Sequence, residues 1–185
     1  MNRGVLIKLH VVIAAVMLPA ILLFLVTGAL YTWGIKGEYH TQTVELALAV
    51  PLQKDKTTLT QVATQALQAR QIELPTGKPS VKDMGSAYQL EWTGASRDVL
   101  LEPTADPLKA TLKIKDTSWY RHLVQLHKAK GGVVFKVYAA AAALSLLLLL
   151  ISGVTLALQM PKLRAITLGS LGGGVLLCAL AIVLS

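Results

Sequence analysis

SWYRHLVQLHKAKGGVVFK, residues 118–136, runs directly into VYAAAAALSLLLLLISGVTLAL, residues 137–158. The second stretch contains no Asp, Glu, Lys or Arg. About 20 apolar residues suffice to cross the ~30 Å hydrocarbon core of a bilayer, so 137–158 reads as a membrane span. Two further stretches, 11–35 and 165–185, are as long and equally free of charge. The chain of 185 residues is 54% hydrophobic, too apolar for an ordinary water-soluble domain.

The first span follows Arg3 and Lys8, as a secretory signal would, but its apolar run is far longer than the usual signal core. Tyr31-Thr32-Trp33-Gly34-Ile35 is bulky where a cleavage site needs small residues, so the segment reads as a retained anchor with Tyr31 and Trp33 at an interface. Pro19 inside this span is expected to kink it.

Between the first two spans lies a loop of about 100 residues. Residues 59–70 follow the helical period, with Leu59, Val62, Ala63, Ala66 and Leu67 on one face. Thr57 or Thr58 is the expected cap, with Gln61 in capping-box position. Pro75-Thr76-Gly77-Lys78-Pro79 breaks the chain, and strand-like stretches follow at 86–93 and 110–114, which alternate, with a short apolar strand at 99–101 between them. In these, Tyr88, Leu90 and Trp92 share one face, as do Leu112 and Ile114. The fold class is therefore an α-helical membrane protein with three transmembrane helices and a small α+β domain inserted between helices one and two.

The expected layout is a tail (1–10), a span (11–35), the inserted domain (36–118), an interfacial segment (119–136), a span (137–158), a tight turn (159–164) and a last span (165–185). Sidedness rests on the Lys and Arg residues in short segments next to spans. The tail offers Arg3 and Lys8 and the turn offers Lys162 and Arg164, which places both in the cytoplasm and the large loop outside it. The lipid bilayer is thus one partner. The net charge of +8 is spread along the loop and the membrane flanks without a dense patch, which argues against nucleic acid. The single Cys178 permits no intrachain disulfide and no cysteine-based metal site.

The sequence contains no HExxH, no phosphate-binding loop, no dinucleotide fingerprint and no nucleophile elbow. The groups able to bind a cofactor are the histidines. His10 opens the first span, His40 follows it, and His122 and His127 precede the second. His122 and His127 lie about 140° apart on an ideal helix, so they cannot share one face. Each histidine is either a cofactor ligand or a polar residue of a membrane flank. Thr27-Gly28 and Ser152-Gly153 are small pairs that let helices approach closely. Gly169, Gly172 and Gly173, with Ser170 and Gly174, make a further contact face on the third span.

Several of these residues carry a resemblance. Lys8-Leu9-His10 opens the first span and Leu25-Val26-Thr27-Gly28-Ala29-Leu30-Tyr31 closes it. Leu126-His127 precedes Gly131-Gly132, and Leu150-Ile151-Ser152-Gly153-Val154 closes the second span. Over roughly residues 5–160 the chain resembles the PepSY-associated transmembrane proteins, in which a PepSY-like helix-and-sheet domain is inserted between membrane helices. Larger members have more spans and more histidines, and some look like inner-membrane reductases for ferric siderophores with b-type haem between helices. This chain has four histidines. The resemblance implies haem b as cofactor; His40 and His127 flank the spans on the same expected side of the membrane, so His127 is expected as one ligand, His40 or His122 as the other, and Lys128, Lys130 or Lys136 near a propionate. A haem at His10 would need a partner from a homodimer or another subunit, since the second and third spans contain no histidine.

Two functions follow. One is a haem-linked electron-transfer module of the bacterial inner membrane, assisting ferric iron or siderophore reduction. The other is a non-catalytic accessory or assembly subunit that docks on a larger respiratory or transport complex through its transmembrane helices.

Overall fold

The computed structural model describes residues 3–85 and 87–185; Ser86, the expected start of one strand, lies outside them. Its elements, in order, are α1 (Arg3–Thr32), β1 (Tyr39–Ala47), α2 (Lys56–Gln68), β2 (Pro79–Met84), β3 (Ala87–Thr93), β4 (Arg97–Pro103), β5 (Lys109–Thr117), α3 (Trp119–His127), α4 (Gly132–Leu158) and α5 (Pro161–Leu184). Helices α1, α4 and α5 are long and apolar enough to cross a membrane. The chain divides into two compact units, Met1–Leu22 with Ala140–Ser185, and Leu23–Ala139.

In the first unit the helix begins at Arg3, upstream of the uncharged stretch at 11–35. Val5, Leu6, Ile7 and Leu9 carry the apolar run past Lys8, and His10 is helical. Pro19 lies inside α1. Only Gln159 and Met160 separate α4 from α5, because Pro161 starts the next helix at once. Proline suits the first helical turn, where its missing N–H has no bond to lose. The Arg3 guanidinium reaches Met160 Sδ at 3.1 Å, which holds the start of α1 beside this turn.

In the second unit the strands form one antiparallel sheet in the order β1-β5-β4-β3-β2. Strands β2 to β5 are a meander. The chain from β1 to β2 crosses the sheet, and α2 lies in that crossing. One face of the sheet offers Leu90, Trp92, Val99, Leu101, Ala110, Leu112 and Ile114, and α2 covers it with Leu59, Ala63, Ala66 and Leu67. The expected apolar faces of 86–93 and 110–114 are thus the core.

The loop domain corrects the sequence expectation in three places. Asp55 caps α2: its carboxylate accepts from Thr58 N–H at 2.8 Å and from the Thr58 hydroxyl at 2.9 Å. Thr58 is therefore the residue being capped, and the ionised oxygen of Asp55 is the better acceptor for a helix N-terminus. Strands β1 and β2 were not expected. Both are sheet edges with mostly exposed side chains, so their apolar alternation is weak. Residues 119–127 form a distinct amphipathic helix, α3, instead of an undivided entrance to the membrane.

Leu112 is fully buried, so Leu112→Ala should cost about 2–5 kcal/mol of domain stability. In the full chain this appears as a roughly 30-fold or greater loss of hydrogen-exchange protection in β4 and β5. Unchanged protection would show that the helix–sheet core does not hold the domain.

Candidate functional site: two imidazole seats

The small-residue pairs expected to bring helices together each receive a histidine ring. In the second unit, His127 Nδ1 lies 2.9 Å from the Thr27 hydroxyl. Thr27 is only 2% exposed. Its hydroxyl hydrogen goes to the helix's own backbone, Leu23 O, at 2.5 Å. A hydroxyl has one hydrogen to donate, so its remaining role toward His127 is to accept. Nδ1 therefore carries the imidazole proton and donates it, and in the neutral ring Nε2 holds a bare lone pair. Gly28 makes the room: a Cβ there would stand 3.1 Å from His127 Cε1. Phe24 flanks the ring at 5.3 Å between centroids, and Phe135 lies beyond it at 6.3 Å from Phe24.

The first unit repeats the arrangement with other helices. His10 Nδ1 of α1 lies 2.7 Å from Ser152 Oγ of α4. Ser152 donates to Leu149 O at 3.0 Å, so it too accepts from the ring. Gly153 lies against the ring, where a Cβ would stand at an ordinary contact distance of 3.8 Å from His10 Cε1. The imidazole faces an apolar groove of about 210 Å³ lined by Leu6, Leu9, Ile13, Leu148, Ile151 and Thr155.

What aims His127 is a buried polar cluster beneath α3. Asp98 on β4 is 8% exposed and Gln125 on α3 is fully buried. The Gln125 amide donates to both Asp98 carboxylate oxygens, at 3.2 and 3.1 Å, and to the Tyr39 hydroxyl at 3.0 Å. Tyr39 donates to Asp98 at 2.5 Å and accepts from Arg121 at 3.0 Å, while the Arg121 guanidinium also covers the Tyr39 ring. Lys130 adds a cation 3.7 Å from Asp98. Burial and the hydrogen bond to Asp98 push the Tyr39 hydroxyl up to about 12. Burial pulls the Lys130 ammonium below its usual range, with Asp98 working against it.

Two backbone devices fix the helix on this cluster. Gly37, with φ of +71°, brings the chain so close that a Cβ would stand 2.7 Å from the Arg121 nitrogen. At the other end, Ala129 takes a left-handed φ of 59° and Lys130 N–H bonds back to Gln125 O, which ends α3 directly after His127.

The other expected residues fall elsewhere. His40 is exposed on the edge strand β1, opposite Asp116, and the structure does not bring it to His127. His122 stays on α3, away from the Thr27 seat. Lys128 lies over the Tyr31 ring at 5.7 Å. Gly169, Gly172 and Gly173 face open space within the chain, and α5 has no buried residue among those described. Sequence reasoning missed the Asp98–Tyr39–Gln125 cluster. Its only trace was polar residues on two strands and a helix, which look like ordinary solvated faces.

The model of the family described as the PepSY-associated TM region matches residues 1–160. Neither the curated proteins nor the solved structures give a match.

The Tyr39 hydroxyl should titrate about two units above an ordinary tyrosine. Because its folded value is raised, the stability it contributes is complete below about pH 10 and is lost as pH rises toward 12. An absorbance titration of the tyrosinates in the full chain should lose its highest-pH component in Tyr39→Phe. Asp98→Asn should shift that component down. A titration unaltered by either substitution would break the cluster apart as a unit.

Proposed function

Starting from a chain that belongs to the family of PepSY-associated TM regions, we propose that it is a haem-linked electron-transfer module of the inner membrane, serving ferric iron or siderophore reduction. The observation that carries this reading is the pinned tautomer. Metal-bound histidines commonly donate their second ring nitrogen to a fixed acceptor, which orients the ring and raises its basicity. Both seats supply that arrangement, with Nε2 left as the donor.

The donor set fits haem better than a bare ion. Among the described residues, no three His, Cys, Asp or Glu side chains cluster, so an iron held here needs ligands of its own, as a porphyrin supplies. Haem b would provide one-electron chemistry. The chain's own part is to fix the imidazoles, keep Nε2 unprotonated, and surround the seats with apolar and aromatic side chains. Each seat offers one imidazole, and the His10 groove is smaller than the ~300 Å³ at which small-molecule pockets begin. A second copy or another membrane subunit therefore completes the coordination. The inserted domain lies outside the cytoplasm in this reading, because the start of α1 carries Arg3 and Lys8 and the first turn of α5 carries Lys162 and Arg164.

A second reading, an accessory or assembly subunit without cofactor, draws on α5. Its glycines 169, 172, 173 and 174 meet nothing within 4 Å, which leaves a small-residue face for another membrane helix.

The two separate in one experiment. A reduced-minus-oxidised visible spectrum of the purified chain should show a b-type band. His127→Ala and Gly28→Leu should each abolish or halve the bound haem, whereas His40→Ala should leave it unchanged. A colourless protein from haem-replete cells, with other subunits co-purifying, would sink the redox reading in favour of the accessory one.

A further inference from the structure

The unit built from Met1–Leu22 and Ala140–Ser185 is charged in one sense only. It contains Arg3, Lys8, Lys162 and Arg164 and no Asp or Glu. Every acidic residue of the chain lies between Glu38 and Asp116. Among the described residues, none of the ion pairs uses any of these four cations. Arg3 donates instead to Met160 Sδ, a weak acceptor that leaves most of the guanidinium fork available.

Arg3 and Lys162 line one hollow of about 530 Å³, together with Gln159, Met160, Pro161 and Leu163. The position of Lys162 is unfavourable for the helix that bears it. Lys162 and Arg164 stand in the first turn of α5, the positive end of the helix dipole, where a cation is repelled. The helix gains nothing from these charges, so an external anion is what would compensate them. The location narrows the anion. The hollow lies where α4 ends and α5 begins, both spans of bilayer length, at the level where the headgroups of lipids stand.

We propose that this hollow binds the phosphate-bearing headgroup of an anionic phospholipid, with Arg3 supplying a planar fork to the phosphate oxygens and Lys162 a second point charge. Basic pockets between membrane helices bind such headgroups, and each nearby Lys or Arg changes the affinity by about fivefold. Acyl chains would follow the apolar surfaces of α4 and α5, which are largely exposed within the chain.

The test uses the full chain in phosphatidylcholine bilayers doped with spin-labelled phosphatidylglycerol or spin-labelled phosphatidylcholine. The expected result is preferential immobilisation of phosphatidylglycerol. Arg3→Gln and Lys162→Gln should each reduce that preference by about fivefold. Arg3→Lys should retain most of it, and Lys115→Gln, on the inserted sheet, should leave it intact. Equal immobilisation of the two lipids would overturn the proposal. So would a preference indifferent to both substitutions in chains of unchanged helix content, or displacement of the labelled lipid by an equal concentration of inorganic phosphate.

Discussion

A hydroxyl has one hydrogen to give, and in α1 and α4 it goes to the helix's own backbone. That constraint settles how the two histidines stand. Thr27 gives its hydrogen to Leu23 O and Ser152 gives its hydrogen to Leu149 O. Each then accepts from an imidazole Nδ1–H, and each imidazole is left with Nε2 as a base. At the Thr27 seat the adjacent glycine does the steric half of the work. A Cβ at Gly28 would stand 3.1 Å from His127 Cε1, a contact tight enough that the ring must shift to admit it. Polar-plus-glycine pairs in membrane helices usually serve close packing of backbones. Here the same pair admits a ring.

The inserted domain gains a purpose from the same geometry. His127 is the last residue of α3, and α3 is held on the sheet by Asp98, Tyr39, Gln125 and Arg121. A buried carboxylate without partners would be costly; here it accepts from Tyr39, Gln125 and the Gly94 N–H and has the Lys130 ammonium 3.7 Å away. Such a cluster is directional, so it fixes the rotation of α3 about its axis as apolar packing alone would not. The sheet and α2 provide the rigid platform, and the polar cluster converts that rigidity into the placement of one imidazole.

Much of this was legible in the sequence because it rests on periodicity. Three uncharged stretches gave three spans, and the alternation at Tyr88, Leu90 and Trp92 gave the core face of β3. His127 and His10 stood out because imidazoles beside membrane spans are rare and ligand-capable. The small pairs at Thr27-Gly28 and Ser152-Gly153 were visible as contact positions too. What they contact was not, since a ring seated 100 residues away in sequence leaves no local pattern. The edge strands β1 and β2 escaped for a different reason: residues such as His40, Thr41 and Thr43 face solvent and carry no alternation. The pairing expected of His40 with His127 rested on membrane side alone, which does not fix distance.

The central claim is the protonation site of two rings, and nitrogen-15 NMR of the haem-free chain in bilayers measures it directly. His40→Gln/His122→Gln in a histidine-labelled background leaves only His10 and His127 to observe. In the neutral form of each ring the expected result is protonated Nδ1 and bare Nε2. The opposite tautomer, with protonated Nε2, would contradict it and would leave the two seats as packing contacts alone.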